Sequence, residues 1–519
     1  MCRPIDKWCR AWPLIPLYLA LCISASALAK ELASAFVTRR DSTVPEGAIV
    51  YAIQAVAQHR PLYHDYGALP YVTTPYPPVY YCVAGAISRW WGSDTDTCYR
   101  TGRAITILSL LTSLMIGYSF VRQAHGTVSA ALIGMGCFTT LGFASPWLVT
   151  CRPDMMALAL SLGGLLAVSQ RCRYGDSVAI ALFVVSALTK HSYISAPMAA
   201  IVCLCICREP VRAVKLASGI IAGIAVAIAI CQWWTDGWML SNIVGANVTP
   251  ARLEQPFVFL GSFLTCSYVP IVIVSACIYL RPAWPTTISP LVTAYALCAF
   301  VTALSSSSKL GADMNYFLEP GLALAILAGQ SWRILAAWIT ESISNRVAWF
   351  VVGMLLCDSV VLSRNATHVS PEVSEIDQKR ALAEINRLPG AVLIGDAGLA
   401  MRANKTVLLL DKFNASYLSE AGKVNFSELL SMLERKEVSA VVSDVRLEDS
   451  IRGMPWWPRP IQRAIAEHYF RDGKFAGYWL FRPHCDIRTS HGVTQHASHK
   501  EAETIILLDV EAYFKPPEK

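Results

Sequence analysis

A chain of 519 residues that is 54% hydrophobic and only 16% charged has a balance that soluble globular proteins of this length do not show, which places it among membrane proteins. Its net charge of +7 comes from basic residues scattered between apolar segments, without the dense run or stripe that a nucleic-acid surface needs, so nucleic acid is excluded as a partner. Most of the 17 cysteines lie in apolar segments, as Cys203, Cys205 and Cys207 do, where they pack as small hydrophobes and imply no disulfide framework.

In chain order, Arg3, Lys7 and Arg10 precede an apolar run from Trp12 to Leu28. Ala27-Leu28-Ala29 fits the small-residue pattern of a signal-peptidase site, but a retained first helix is the preferred reading, and either outcome leaves the next loop outside the cytoplasm. Further spans are predicted at about 104–121, 128–150, 155–170, 178–190, 193–207, 216–235, 257–280, 286–305, 316–338 and 346–363, which with 12–30 makes eleven. Arg122, Arg171 with Arg173, Arg208 with Arg212 and Lys215, Arg281, and Arg346 all fall in loops of one parity. Positive residues mark cytoplasmic loops, so the N-terminus is expected inside and the C-terminal domain outside.

The stretch 178–207 would be about 45 Å long as one helix, too long for a hydrocarbon core of roughly 30 Å. Basic residues on both flanks require it to cross, turn near Lys190-His191, and return. Trp90-Trp91, Trp147 and Trp233-Trp234 fall at the proposed outer boundaries, where an aromatic belt would place them. The first outer loop, 31–103, is too long for a connector and contains a helical segment from Ile49 to Gln58; Cys82 and Cys98, which share this loop, are a candidate pair. From 364 to 519 the chain reads as a small α/β domain with a polar tail. It has strand-like runs at 391–398, 406–411, 438–445 and 477–483, and helices at 426–436 and 461–469.

Charges on the outer face are the informative ones. Asp41 and Glu46, directly after the first helix and beside Arg39-Arg40, could deprotonate an acceptor hydroxyl while cations hold a phosphate; the bland alternative is a solvated turn with Asp41 capping a helix. Thr74-Pro75-Tyr76-Pro77-Pro78 supplies a stiff loop with tyrosines suited to a sugar or lipid groove, and Gly102-Arg103 opens the second span. Arg152-Pro153-Asp154, Lys190-His191 and the run from Lys309 to Glu319, with Asn315 and Tyr316, come from three outer loops. Three cations converging there would stabilise a phosphate leaving group, whereas Arg152–Asp154 and Lys309–Asp313 ion pairs are the structural alternative. Two other features carry less: His484, Cys485, His491, His496 and His499 fit no zinc spacing, and Trp456-Trp457 could stack a sugar, meet the membrane or form a core. The sequons at Asn365 and Asn414 matter only in a eukaryotic lumen.

Taken in order, the acidic first loop, the YPP segment, GR, RPD, the TK hairpin tip and the NYFLE stretch resemble the GT-C superfamily of polytopic glycosyltransferases. The bacterial branch related to protein mannosyltransferases and lipid A aminoarabinose transferases is the nearer likeness. The resemblance covers residues 12 to 363 and implies a polytopic α-helical membrane protein of the bacterial inner membrane with a small extracytoplasmic α/β domain. It further implies a polyprenyl-phosphate-linked sugar as donor, and transfer by direct displacement with inversion to a lipid, glycan or protein hydroxyl. On this sequence the general base falls on Asp41 or Glu46. Arg103, Arg152, Lys190 and Lys309 become phosphate contacts, and Tyr76, Asp154, His191, Asn315, Tyr316 and Glu319 pocket residues. Some relatives use a divalent ion, and no residue pattern here fixes a metal site. The rival classes are a lipid-linked saccharide flippase, which would place ionisable groups near the midplane and show repeats, and a sugar polymerase or ligase, separable by product analysis.

Overall fold

The computed structural model describes residues 12–37, 46–247, 249–280, 288–367, 375–451 and 454–484. A helix, or a pair of helices bent at a short break, occupies each of the eleven predicted spans. Among the described residues, five helices are long and apolar enough to cross a bilayer: Trp12–Phe36, Thr95–Gln123, Pro210–Trp234, Pro290–Ser307 and Met314–Glu341. Val128–Thr139 with Gly142–Val149, and Gln255–Cys266 with Tyr268–Leu280, are bent by 65° and 79° and bring the count to seven. A proline lies in the first turn of Gly142–Val149's helical end, Pro146, and Pro270 lies in the first turn after the second break; a ring without an N–H fits the start of a helix and cannot continue one.

Four apolar helices among the described residues are shorter, Gly47–Ala57, Asp154–Ser169, Gly175–Thr189 and Ser195–Ile206. The last two form the expected short hairpin, with Lys190 ending the first in extended backbone at φ −153°. The bundle sorts its loops by parity. Gln123, His125, Arg171, Arg212 and Ser289 line a single cavity at one end, where Arg171 pairs with Glu209 at 2.5 Å and Arg212 with Asp176 at 2.7 Å. Arg103 and Asp154, near the other ends of the same helices, belong to the opposite face.

Two helices of the first outer loop, Gly47–Ala57 and Val79–Trp91, pack on each other above that face, and the second ends in exposed Trp90 and Trp91. Trp233 and Trp234 are exposed as well. Trp147 departs from the belt expectation: it is buried, because its indole packs against the Arg152 guanidinium at 4.9 Å. Cys82 and Cys98 are both free thiols.

The C-terminal region carries strands β1 (Ala391–Ile394), β2 (Val438–Ser443), β3 (Ser450–Ile451), β4 (Met454–Pro455), β5 (Tyr469–Phe475) and β6 (Tyr478–Pro483). The main sheet has the order β1-β2-β6-β5, with β1 and β2 parallel and the other pairs antiparallel. The β5–β6 hairpin turns on Ala476 and Gly477, both at positive φ (45° and 90°), the geometry whose twist matches a two-residue hairpin. The strand expected at 406–411 joins no sheet. Leu409 instead forms an isolated parallel bridge with Tyr71 of the first loop, and Tyr71 is buried in the domain's own core against Phe426, ring centroids 4.9 Å apart.

Candidate active site

Glu46 precedes the helix Gly47–Ala57 and is fully buried. Its carboxylate accepts a two-pronged contact from Arg103, Nε to Oε1 at 3.0 Å and Nη2 to Oε2 at 2.5 Å, and a further bond from the Cys151 amide. Arg103 also donates to the Ala35 carbonyl at 2.9 Å and lies over the Tyr99 ring. A bidentate pair sealed from water is strong only when every donor and acceptor is used, and these contacts tie the first helix, the first loop, the second span and the turn before Arg152 into one unit. Gly102 makes this possible, since a Cβ there would lie 2.1 Å from the Cys151 sulfur. Glu46 and Arg103 are therefore committed to each other.

The RPD turn builds the second cluster. Pro153 starts the helix Asp154–Ser169, which leaves Asp154 in its first turn, where the helix dipole favours an anion. Asp154 is fully buried; its Oδ1 accepts from Lys190 Nζ at 2.5 Å and Asn315 Nδ2 at 2.7 Å, and Arg152 Nε stands 3.5 Å from Oδ2. Lys190 is 2% exposed and is ringed by Tyr316, Tyr76 and Tyr193, with centroids 5.2, 5.5 and 5.7 Å from Nζ. Arg152 donates to the Tyr76 hydroxyl at 2.6 Å, and the Tyr76 carbonyl accepts from Tyr63 at 2.8 Å. Buried Lys190 and half-buried Arg152 flank the Asp154 carboxylate and are braced on aromatic faces that attract cations.

Glu319 lies behind this cluster, accepting from Ser195 at 2.9 Å and Tyr295 at 3.3 Å. It lines a small cavity with Lys190, Tyr193, Asn315 and Tyr316. Of the three cations expected to converge, Arg152 and Lys190 meet on Asp154, and the Arg152–Asp154 contact of the structural alternative is present within the same cluster. Lys309 does not join them. Its Nζ bonds Asn247 Oδ1, its backbone pairs with Ala251, and burial holds it below its ordinary pKa. Asp313 caps its own turn through Met314 N at 2.6 Å rather than pairing with Lys309. His191 is exposed at the hairpin tip, with Lys190 and Lys309 as its cationic neighbours.

Asp41 lies outside the described residues, as do Cys485, His491, His496 and His499. Among the described residues, no group of three or more His, Cys, Asp or Glu side chains is placed to hold a metal ion. Sequence reasoning missed Trp147, Tyr193, Ser195 and Tyr295 as partners of the site. For Tyr193 the signal was present in Lys190-His191-Ser192-Tyr193, one turn of chain past the lysine, whereas Tyr295 reaches Glu319 across 24 residues with no local cue.

The C-terminal domain sits against this face. Asn414 Nδ2 donates to Thr73 Oγ1 at 3.3 Å, Lys423 Nζ to the Gly245 carbonyl at 2.6 Å, and the Tyr71 amide to the Leu408 carbonyl at 3.0 Å. Residues 71 to 76 thus run from the domain's core to Tyr76 in the cation cluster.

No family model and no curated protein matches this sequence. Solved structures do match in fold. ArnT from Cupriavidus metallidurans bound to undecaprenyl phosphate superposes with a TM-score of 0.58 and 15% identity over 92% of this chain and 99% of that one. The archaeal oligosaccharyltransferase AglB from Archaeoglobus fulgidus, in complex with an inhibitory peptide and a dolichol-phosphate, gives 0.53 and 12% over 93% of this chain and 75% of that one. The architecture is that of the GT-C fold, in a multi-pass membrane protein.

Proposed function

We propose that this chain is a membrane glycosyltransferase that moves a sugar from a polyprenyl-phosphate donor to an acceptor hydroxyl on the outer side of the bacterial inner membrane. The observation that carries the reading is the Arg152–Asp154–Lys190 cluster, in which two cations from separate loops meet on one carboxylate inside an aromatic collar. The chain has a fold shared with proteins solved with undecaprenyl phosphate and dolichol-phosphate.

In this reading Arg152 and Lys190 take up the charge that develops on the departing phosphate, and their aromatic collar keeps water from screening it. Phosphate is a good leaving group, so cations suffice on that side and no general acid is needed. The acceptor hydroxyl attacks the anomeric carbon as a carboxylate takes its proton, and the configuration inverts. Asp41 is the base. Glu46 has its oxygens occupied by Arg103 and the Cys151 amide, so it serves with Arg103 as the brace that sets the first loop beside the RPD turn. Asn315 orients Asp154, Tyr76 orients Arg152, and Tyr316 lines the donor side. Glu319 fixes the helix that carries Asn315. His191 and Lys309 lie at the rim, where they contact the donor's outer part.

The test is donor consumption. Purified protein in nanodiscs is supplied with a set of polyprenyl-phosphate sugars, and loss of donor with release of polyprenyl phosphate is followed by mass spectrometry. The reading expects one donor to be consumed and Lys190→Met to abolish that consumption. A folded protein that moves intact lipid-linked sugar across the bilayer and cleaves none would overturn it in favour of a flippase.

A further inference from the structure

The C-terminal domain carries a side-chain cluster that the donor chemistry does not use. It lies at the carboxyl ends of the parallel strands β1 and β2, where open α/β sheets take their ligands. Gly395 and Asp396 follow β1, and Ser443 and Asp444 end β2. Lys412 bridges the two ends, donating to the Gly395 carbonyl at 3.1 Å and to Asp444 Oδ1 at 2.6 Å. Its ammonium lies 5.8 Å from the Trp456 ring and 6.0 Å from that of Trp457.

The two indoles have different duties. Trp457 is fully buried, donates to Ser443 Oγ at 3.0 Å, and fills the space that a side chain at Gly395 would need, 2.8 Å from its Cβ position. It is core. Trp456 is only half-buried and pairs with Phe413 at 5.4 Å, making an aromatic shelf beside the exposed Asp444. Phe413 lies near Gly311, where an added Cβ would come 3.4 Å from its ring. Gly311 belongs to the same 309–315 segment that delivers Asn315 to Asp154, so the shelf adjoins the mouth of the candidate active site.

We propose that the Trp456–Phe413 shelf, with Asp444 and Lys412 at its edge, is a binding site for a glycan, and that this glycan is the acceptor. A pyranose ring has an apolar C–H face and a rim of hydroxyls. The face packs on an indole, and the rim needs both a carboxylate that accepts and an ammonium that donates, side by side. A wholly apolar chain would strip water from the exposed side of the Asp444–Lys412 pair and return no hydrogen bond for it, and an anionic group would meet Asp444. That the glycan is the acceptor rests on the glycosyltransferase reading; that a glycan binds here does not.

The experiment separates the two. Full-length protein in nanodiscs, without donor, is titrated with linear gluco-, manno- and galacto-pentasaccharides and with a Ser/Thr-rich peptide, and binding is read by saturation-transfer NMR. At least one pentasaccharide is expected to bind, with transfer strongest to ring C–H protons. Trp456→Ala should weaken it by about tenfold or more, as loss of an aromatic anchor does, while Trp456→Phe keeps most of it. Asp444→Asn, at the exposed edge, gives a second variant should Trp456→Ala fail to fold, and it too should weaken binding. The site assignment is overturned if no pentasaccharide binds, if only the peptide binds, or if the Trp456 and Asp444 variants bind as the wild type does. If pentasaccharide binds through Trp456 but is never extended by a protein that consumes donor, the glycan is not the acceptor and that part of the proposal falls, with donor chemistry intact.

Discussion

Lys190→Met tests whether the cation cluster is structural, catalytic or both. Lys190 and Asp154 are 2% and 0% exposed and meet at 2.5 Å. Removing one partner of such a pair leaves an uncompensated buried charge, which costs about 3–5 kcal/mol, whereas replacing both by apolar groups of similar volume is often neutral. Arg152, 3.5 Å from the other oxygen, offsets part of the loss, so the single change should fall toward the lower figure. The double variant Lys190→Met/Asp154→Leu removes both charges but also takes Asp154 from Arg152 and Asn315, so it should recover part of the thermal stability. Activity should follow a different course. A cation that stabilises a departing phosphate is worth roughly 100- to 1,000-fold in rate, and the double variant still lacks it. Thermal unfolding in detergent and donor consumption are therefore measured on the wild type, both single variants and the double. Transfer that returns together with stability in the double variant would refute a role for Lys190 in the chemistry and leave it a strut.

The two acidic residues of the first loop should separate in the same way: Asp41→Asn is expected to keep the melting temperature and lose about 100-fold or more of transfer, as loss of a base does. Glu46→Gln should instead lower stability, by up to about 3–5 kcal/mol, because it removes the carboxylate from the buried two-pronged contact with Arg103; equal activity loss at unchanged stability would reverse the assignment. Gly102→Ala drives a Cβ to 2.1 Å from the Cys151 sulfur and should cost roughly 1–3 kcal/mol by overpacking. Adding Cys151→Ala should restore most of that, and no restoration would mean that the strain lies elsewhere. Finally, a membrane-impermeant thiol reagent applied to intact cells should label Ala421→Cys and not Arg171→Cys, both at exposed positions, with sites mapped by mass spectrometry. The reverse pattern would invert the topology.

Much of the membrane part was legible because crossing a bilayer imposes a local, one-dimensional rule of length and apolarity. That rule placed a helix or a bent helix pair at each of the eleven predicted positions, seven of them, among the described residues, long and apolar enough to cross, and the charges flanking 178–207 required the turn at Lys190. It carries no information on direction, so the bends of 65° and 79° went unseen. The site was legible in composition but not in pairing. Glu46 and Arg103 are 57 positions apart, and Asp154 and Asn315 are 161 apart, separations at which no periodicity speaks. Lys309 illustrates the opposite error: its place in an outer loop suggested convergence, but the antiparallel bridge with Ala251 fixes its backbone and turns the side chain to Asn247. Residues 406–411 have the apolar run of a buried strand, yet their partner is Tyr71 from the first loop, because tertiary context overrides strand propensity.

That Tyr71 bridge also bears on how the two proposed sites would act together. The segment from Tyr71 to Tyr76 is anchored at one end in the C-terminal domain, through Phe426, the Leu408 carbonyl and Asn414. At its other end Tyr76 orients Arg152 and faces Lys190. Asn242 holds the middle, accepting from the Thr74 amide at 3.1 Å while its own amide donates to the carbonyls of His64 and Trp238. Prolines at 75, 77 and 78 restrict the backbone, so a displacement at the domain end is passed along the segment rather than absorbed by it. A glycan seated on the Trp456–Phe413 shelf would bear on Asn414, adjacent to Phe413, and hence on the Thr73 contact that positions Tyr76. Under the two proposals, acceptor binding and the geometry of Arg152 would be linked through residues 71 to 76, and loss of the Asn414–Thr73 contact should weaken that link.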